Sequence, residues 1–326
     1  MTVLVTGAAG FVGMHVSLAL MAAGEKVVGI DNLNDYYDIS LKKARLEELG
    51  AHNAFEFIKL DLKDRDDVFE TLGKIPGIIK VVHLAAQAGV RYSLEHPFDY
   101  TDSNITGFLT ILEYCRHLEG LEHLVYASSS SVYGGNKELP YSVDQSVDRP
   151  VSLYAATKKA NELMAHSYAH LYGIPLTGLR FFTVYGPWGR PDMAYWTFTE
   201  KMLRGETIPI FNNGDMKRDF TYIDDIVSGV KALLANPPVA QEGQAPYRVY
   251  NIGNHRSEPL LGLVAALEDA LGVKANMKML PMQAGDVKET FADIDPIRRD
   301  VGYEPTTSLD EGIPKFIAWY KDYFKG

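Results

Sequence analysis

The chain has 326 residues, of which 46% are hydrophobic and 23% charged, enough to bury one large core and form a second, smaller unit. Its formal net charge of −10 at pH 7 argues against a nucleic acid or an anionic membrane surface as a partner. Since no apolar run is long enough to span a bilayer and the first strand begins without a charged leader, we expect a cytoplasmic protein without membrane association.

The first predicted strand, residues 2–6, runs into three glycines spaced G-x-x-G-x-x-G and then into a helical pattern. Such a turn lets backbone N–H groups approach a pyrophosphate at a helix N-terminus and lets the helix pack closely on the strand. We therefore predict cofactor contacts by Gly7, Gly10, Phe11, Val12 and Gly13.

The second predicted strand, residues 26–31, ends in Asp31, 18 residues after Gly13. In a dinucleotide fold a carboxylate at this place accepts hydrogen bonds from the adenosine ribose. It would repel a 2′-phosphate, and no arginine follows immediately to compensate, so the pattern favours NAD over NADP. Asn32 is expected to contact the same ribose.

The third and fourth predicted strands, residues 55–60 and 80–84, both end in residues suited to a cofactor edge. Small side chains at the carboxyl ends of parallel strands allow the adenine and the second ribose to approach the backbone. The predicted contacts here are Asp61, Leu62, Leu84, Ala85 and Ala86.

The fifth predicted strand, residues 123–127, leads into a run of four serines, and Tyr154 and Lys158 follow on a predicted helix. Side chains at i and i+4 share one face of a helix, so the Lys158 cation is expected to lower the pKa of Tyr154 and create a base. A serine hydroxyl nearby would complete a proton-transfer site. An isolated Y-x-x-x-K is usually a solvated helix face, and the predicted cofactor loop is what favours catalysis here.

Strand and helix alternate to about residue 185, with a sixth predicted strand at residues 175–182, whereas prolines and glycines separate short segments thereafter. This predicts an α/β fold, a Rossmann-type doubly wound parallel sheet with a smaller, interleaved C-terminal substrate-binding lobe. The NAD-binding domain is assigned to residues 1–185 and rejoined by segments around 220–255, and residues 186–326 form mainly the substrate lobe.

Three arginines, Arg91, Arg190 and Arg218, follow small-residue turns near the predicted crevice. Although surface arginines are commonly only solvated charges, this grouping favours diphosphate or carboxylate contacts. The single cysteine, Cys115, excludes an internal disulfide, and no metal is expected, because His166 and His170 lack the glutamate and third ligand of a metal motif.

The glycine turn, the serine strand, the Tyr154/Lys158 pair and residues 218–225 together resemble the extended short-chain dehydrogenase/reductase family, in particular its nucleotide-sugar epimerases and dehydratases. Residues 86–93 and 180–196 are most similar to UDP-glucuronate 4-epimerases. The resemblance implies NAD-dependent C4 epimerisation of UDP-glucuronate to UDP-galacturonate through a 4-keto sugar, and a homodimer formed by helices around residues 98–118 and 154–172.

The resemblance also implies catalytic roles. Tyr154 would take the C4 hydroxyl proton, Lys158 would bind the nicotinamide ribose, and Ser129, three residues before Val132, would hydrogen-bond the reacting oxygen. Ser130 and Ser131 remain alternatives to Ser129. Related dehydratases and decarboxylases have an acid at the position of Ser131, so its absence disfavours decarboxylation.

Substrate contacts follow from the same resemblance. Thr183 and Arg190 would hold the sugar carboxylate, although Arg190 could instead only brace its loop. Arg218 and Asp286 would contact the diphosphate and uridine ribose, while Met282 and Gln283 stand where many relatives have an arginine. The remaining predicted substrate contacts are Gly89, Val90, Arg91 and the serines 129–131.

Three alternatives stay open: a UDP-glucose 4-epimerase, which would leave Arg190 without a purpose; a UDP-glucuronate decarboxylase, which the serine at 131 disfavours; and a catalytically silent NAD-binding sensor. The last is of a different class, and such proteins usually lose the tyrosine or the lysine, both of which are present here.

Overall fold

The structure is a computed structural model that describes residues 1–283 and 286–325. Strands and helices alternate through most of the chain. The strands are β1 (Thr2–Thr6), β2 (Lys26–Asp31), β3 (Phe55–Lys59), β4 (Ile78–His83), β5 (His123–Ser129), β6 (Leu176–Phe181), β7 (Thr183–Tyr185), β8 (Thr207–Ile210), β9 (Lys217–Arg218), β10 (Phe220–Tyr222), β11 (Tyr247–Ile252), β12 (Glu258–Pro259) and β13 (Asn276–Met279).

The α-helices connect these strands and cover the sheet. They are α1 (Phe11–Ala22), α2 (Ile39–Gly50), α3 (Arg65–Leu72), α4 (Tyr92–Glu95), α5 (Pro97–Tyr100), α6 (Gly107–His117), α7 (Leu153–Tyr172), α8 (Ala194–Leu203), α9 (Ile223–Leu234), α10 (Leu260–Leu271), α11 (Asp295–Val301) and α12 (Leu309–Tyr323). A π-helical segment, Thr101–Thr106, joins α5 to α6.

The central sheet has seven strands in the order β11-β6-β5-β4-β1-β2-β3, all parallel. Val3, Leu4 and Val5 of β1 are fully buried, as expected when helices cover both faces of a parallel sheet. The predicted Rossmann-type fold is confirmed. The strand order reverses between β1 and β4, and a crevice at the carboxyl ends of these strands is the expected ligand site.

The C-terminal half returns to this sheet, as predicted. The strand expected near residue 250 begins at Tyr247 and pairs with β6 from Tyr247↔Leu176 to Ile252↔Phe181. The division into residues 1–185 and 186–326 remains a prediction.

Four of the six strands predicted in the first half of the chain differ in extent from those observed, and two of these differences bear on the site. β5 continues to Ser129, and β6 ends at Phe181, after which β7 leaves the sheet to pair with β10. The Phe182 N–H still donates to Ile252 O at 3.2 Å, so the chain turns away immediately beyond the last sheet contact. Consequently Thr183 lies next to the segment that follows Arg218.

Among the helices of the described residues, none has both the length and the apolar character required to cross a bilayer. Within the same ranges, no three histidine, cysteine, aspartate or glutamate side chains are grouped so as to hold a metal ion.

Candidate active site

A cavity of about 470 Å³ lies at the carboxyl ends of the central strands. It brings together every predicted cofactor residue: Gly7, Gly10, Phe11, Val12, Gly13, Asp31, Asn32, Asp61, Leu62, Leu84, Ala85, Ala86, Tyr154 and Lys158. The same cavity is lined by the predicted substrate residues Gly89, Val90, Ser129, Ser130, Ser131, Thr183, Arg190, Arg218 and Asp286.

The glycine loop is held tightly against the end of β4. Gly7 has a φ of +70°, and a Cβ there would lie 2.8 Å from Ala85 N. Helix α1 begins at Phe11 after Gly10, which has no side chain to cap it, and its first turn contains no acidic residue. The free N–H groups and the positive end of the helix dipole therefore fit a bound pyrophosphate.

Asp31 is buried at the end of β2, and its Oδ1 accepts from the Leu33 N–H at 2.9 Å. Lys42 Nζ lies 3.8 Å from the same oxygen. Asp31, the carboxylate predicted to bind the adenosine ribose, therefore has a cationic neighbour that the sequence analysis did not predict. Lys42 lies on the buried face of α2 beside Leu41, and a charged residue on an apolar helix face is the signal that could have identified it.

Arg45 on the same face of α2 is fully buried and connects two loops. Its Nη1 donates to Ala9 O in the glycine loop at 3.0 Å. Its Nη2 donates to Trp188 O and Gly189 O at 2.7 and 2.8 Å, immediately before Arg190. The side chain thus joins the predicted cofactor loop to the predicted substrate loop.

Helix α7 carries Tyr154 and Lys158, the predicted catalytic pair. The helix is N-capped by Ser152, whose hydroxyl accepts from the Ala155 N–H at 3.1 Å. Lys158 Nζ donates to Ala127 O at the end of β5 at 2.9 Å, and burial lowers the pKa of Lys158 to about 8.

The acidity of Tyr154 differs from the sequence-based prediction. Burial is the largest influence and raises the pKa of Tyr154 above its ordinary value, while the hydrogen bond with Ser129 and the charge of Arg190 act to lower it. The prediction that Lys158 lowers the pKa of Tyr154 below its ordinary value is therefore wrong, because desolvation of the phenolate outweighs the effect of the nearby polar groups.

Ser128 and Ser129, the first two of the four serines, have different hydrogen-bond partners. Ser128 Oγ donates to Glu162 Oε1 at 2.7 Å, away from the reacting group. Ser129 Oγ accepts from Ser131 Oγ at 2.9 Å and from Ser131 N at 3.2 Å. Ser129 is also the serine whose side chain hydrogen-bonds Tyr154. This geometry favours Ser129 over Ser130 as the partner of the phenol.

A buried ion pair holds the serine strand in register with its neighbours. Glu162 of α7 accepts from Arg180 Nε and Nη2 of β6 at 2.8 and 2.9 Å, while also accepting from Ser128. Both charged side chains are 4% exposed. One carboxylate therefore links α7, β5 and β6 at the level of the site.

Sequence reasoning missed Asn104, in the π-helical segment before α6. Its Oδ1 accepts from Gln87 N at 2.8 Å, and its Nδ2 donates to Gln87 O and to Thr157 Oγ1 at 3.0 and 3.1 Å. The side chain thereby fastens the loop after β4 to α7, one residue before Lys158. The irregular helix is the structural signature, and the sequence carries no clear local sign of it.

On the substrate side, Arg190 Nε donates to Asp192 Oδ1 at 3.0 Å. Arg218 Nη1 donates to Lys217 O and Lys288 O, and burial lowers the pKa of Arg218. Arg91 differs from its prediction: among the described residues it does not line the cavity. Its guanidinium instead lies 3.5 Å from Asp286 Oδ2, because the turn after Gly89 directs it to the rim.

The chain is similar to known proteins over nearly its whole length. The chain is 51% identical to UDP-glucuronate 4-epimerase 4 of Arabidopsis thaliana, covering 100% of this chain and 76% of the plant protein. It is 48% identical to Protein CapI of Staphylococcus aureus, covering 100% of both. Its fold matches a crystal structure of UDP-glucuronic acid 4-epimerase from Bacillus cereus in complex with UDP-glucuronic acid and NAD, with a TM-score of 0.89, 35% identity and coverage of 99% and 100%.

A family profile described as the NAD dependent epimerase/dehydratase family matches residues 3–253. The chain therefore belongs to the NAD dependent epimerase/dehydratase family, which confirms the predicted family and cofactor.

Proposed function

We propose that the protein interconverts UDP-glucuronate and UDP-galacturonate by epimerisation at C4. The observation that carries this proposal is the presence of Arg190 in the same cavity as Tyr154, close enough for its charge to act on the phenol. In a uronate the carboxylate-bearing carbon is attached next to C4, so a cation near the proton acceptor suits that substrate and not a neutral hexose. The names of the plant and Bacillus cereus relatives support the same substrate.

The proposed mechanism uses Tyr154 to remove the proton from the C4 hydroxyl and to return it in the second half of the cycle. Ser129 hydrogen-bonds the reacting oxygen and holds it near the phenol. In this proposal Lys158, whose Nζ donates to Ala127 O, binds the nicotinamide ribose. When bound, NAD would supply the hydride acceptor for C4 and the hydride for its return. The sugar presents its opposite face between the two transfers.

The oxidised sugar would be a β-keto acid, which loses carbon dioxide when its carboxylate bond aligns with the carbonyl π system. In our proposal Thr183 and Arg190 keep that bond out of alignment by charge-assisted hydrogen bonds. Ser131 supports the proposal because it offers no carboxylate to assist decarboxylation.

Proton NMR of UDP-glucuronate incubated with the purified protein tests the reaction. We expect the anomeric and H4 signals of UDP-galacturonate without a pentose product. A pentose would instead indicate a decarboxylase, and conversion of UDP-glucose alone would indicate a neutral-sugar epimerase. No conversion of either sugar would support the silent NAD-binding alternative.

The carboxylate contacts have a separate test. Arg190→Ala and Thr183→Val should raise KM for UDP-glucuronate and increase carbon dioxide release per turnover. Arg204→Ala is the matched control, since this exposed arginine forms an ion pair with Glu200 one helical turn away and, in the described part of the chain, does not line the cavity. Unchanged KM and unchanged carbon dioxide release would show that Arg190 only braces its loop.

We also propose a cytoplasmic homodimer in which α6 and α7 contact the same helices of a second copy. Leu109, Leu163 and Leu171 support this proposal because they expose 41%, 57% and 66% of their surface on these helices. Sedimentation equilibrium should give twice the chain mass, and Leu163→Glu should reduce it. A monomeric wild-type protein would contradict the proposal.

A further inference from the structure

The guanidinium of Arg190 forms an ion pair with the carboxylate of Asp192, two residues later in the chain. Its Nε donates to Asp192 Oδ1 at 3.0 Å and its Nη2 to Asp192 Oδ2 at 2.5 Å. Among the described residues, Arg190 lines the cavity and Asp192 does not. A guanidinium has five N–H donors, so this pair leaves Nη1 and one Nη2 proton for a ligand.

Asp192 is fixed from a second direction by Tyr36, whose hydroxyl donates to Asp192 Oδ2 at 3.1 Å. Tyr36 follows β2, and its ring meets the Tyr92 ring at 4.8 Å in a T-shaped arrangement. A Cβ at Gly89 would lie 2.7 Å from the Tyr36 hydroxyl, so this loop also packs on the same group. Three cavity loops therefore meet around one carboxylate.

The pair is ionic at neutral pH. Burial acts to raise the pKa of Asp192, but the charge of Arg190 and its hydrogen bonds hold that pKa below the ordinary value. The Arg190 cation is therefore already paired before a substrate carboxylate arrives. Its orientation is fixed, while its net attraction for a second carboxylate is reduced.

The weaker attraction of Arg190 for a second carboxylate matters because the sugar must rotate within the site between the two hydride transfers. An unpaired arginine binds a carboxylate by two parallel, charge-assisted hydrogen bonds, the strongest geometry available to it. Such binding stabilises the starting sugar and opposes its rotation between the two hydride transfers. Binding that is equal in ground and transition states does not raise kcat.

We propose that Asp192 is a positioning residue that weakens the hold of Arg190 on the substrate carboxylate, so that a uronate is recognised but remains free to turn. The inference rests on the proposed function. Asp192 thereby lowers the affinity for uronates and allows faster turnover.

The test is Asp192→Asn, which keeps the size of the side chain and removes its charge. In a Tyr154→Phe background, which blocks conversion, calorimetry on the NAD-loaded protein should show the Kd for UDP-glucuronate falling about tenfold. The Kd for UDP-glucose should stay the same. With Tyr154 present, Asp192→Asn should lower both KM and kcat for UDP-glucuronate.

Weaker binding of UDP-glucuronate by Asp192→Asn, or an equal change for both sugars, would overturn the inference and leave Asp192 as a brace for its loop. Tyr36→Phe provides a second variant with less risk to folding. Loss of its hydrogen bond to Asp192 should change the ratio of the two Kd values in the same direction, by a smaller factor. Tyr92→Phe is the matched control, since it keeps the ring that contacts Tyr36 and should leave the ratio unchanged.

The two proposals fail separately. If the wild-type protein does not convert UDP-glucuronate, the proposed function fails whatever Asp192→Asn does to the ratio of Kd values. If conversion occurs and neither variant shifts the ratio, only the role of Asp192 is wrong.

Discussion

At residue 154 the chain places a phenol whose acidity is set by opposing influences. Burial disfavours the phenolate, whereas the Ser129 hydroxyl and the Arg190 charge favour it. In the proposed mechanism the phenolate takes the C4 hydroxyl proton in the first half of the cycle and returns it in the second. Because burial makes this phenolate scarce near neutral pH, the Ser129 hydroxyl and the Arg190 charge matter as the groups that stabilise it.

Replacing Tyr154 with phenylalanine should lower kcat by about 10²- to 10⁴-fold, because the proton acceptor is lost. The Kd for UDP-glucuronate should change little, since the ring and its packing remain. Steady-state kinetics and calorimetry measure the two quantities. Tyr172→Phe, at the other end of α7, should leave both unchanged; a kcat of wild-type size in Tyr154→Phe would remove Tyr154 from the mechanism.

His83 makes stability depend on pH. It is buried at the end of β4, its Nδ1 forms a hydrogen bond with Thr6 Oγ1 at 2.9 Å, and burial lowers its pKa to about 3, with a smaller contribution from Lys158. At pH values between about 3 and about 6.5, His83 binds a proton in the unfolded chain but stays neutral in the folded chain. Its contribution to the free energy of unfolding is therefore complete above pH 6.5 and falls as the pH drops through this window.

The measurement is urea denaturation of the wild type and His83→Gln from pH 7 to pH 4. The variant should be less stable at pH 7 but should lose less stability on acidification. His52→Gln, at an exposed position, should follow the wild type. Parallel pH profiles for wild type and His83→Gln would contradict the assignment.

At the scale of elements, α1 packs so closely on the loop after β1 that there is no room for a side chain at Gly13. A Cβ at Gly13 would lie 2.0 Å from Gly7 O, so Gly13→Ala must displace the helix from the strand. We expect a loss of about 1 to 3 kcal/mol in stability, typical of overpacking, and weaker NAD binding. Thermal unfolding and NAD titration measure these effects. Gly50→Ala, with nothing within 4 Å, should change neither.

The local parts of this site were predictable from the sequence, and the remote parts were not. Gly7, Asp31 and Tyr154 stand at positions defined by a few neighbouring residues and by the ends of periodic segments. Arg45 and Asn104 act through contacts with residues 143 and 17 positions away, and no short pattern encodes them. The pKa of Tyr154 was misjudged for a related reason, since burial depends on the whole fold.

At the scale of the whole molecule, Asp219 gathers separate parts of the chain. Its fully buried carboxylate accepts from Asn254 N at 2.6 Å, from His255 N and Ala292 N at 3.1 Å, and from Thr221 Oγ1 at 3.0 Å. The segments after β9, after β11 and before α11 thus meet at one side chain. This contact joins the interleaved C-terminal half to the edge of the sheet.

Asp219→Ala should cost about 3 to 5 kcal/mol of unfolding free energy, because four donors lose a charged acceptor in the interior. Asp215→Ala is the matched control four residues earlier. Its carboxylate is 65% exposed and pairs with Lys288, so we expect a change of less than about 1 kcal/mol. Urea denaturation gives both values, and equal losses would show that Asp219 is not a tether.

Arg45 imposes a constraint on the length of the chain. It binds the carbonyl oxygens of Ala9, Trp188 and Gly189, and a carbonyl is present whatever side chain a residue carries. The contact therefore depends on the path of the backbone from β7 to Arg190 and does not use the side chains of Trp188 or Gly189. A single residue inserted or deleted between 185 and 190 would move both carbonyls away from the guanidinium and leave its Nε and Nη2 groups in the interior without these acceptors. In this enzyme the loop that carries Arg190 has a set number of residues, and it requires glycine at 189, where a Cβ would lie 1.9 Å from the Tyr195 hydroxyl.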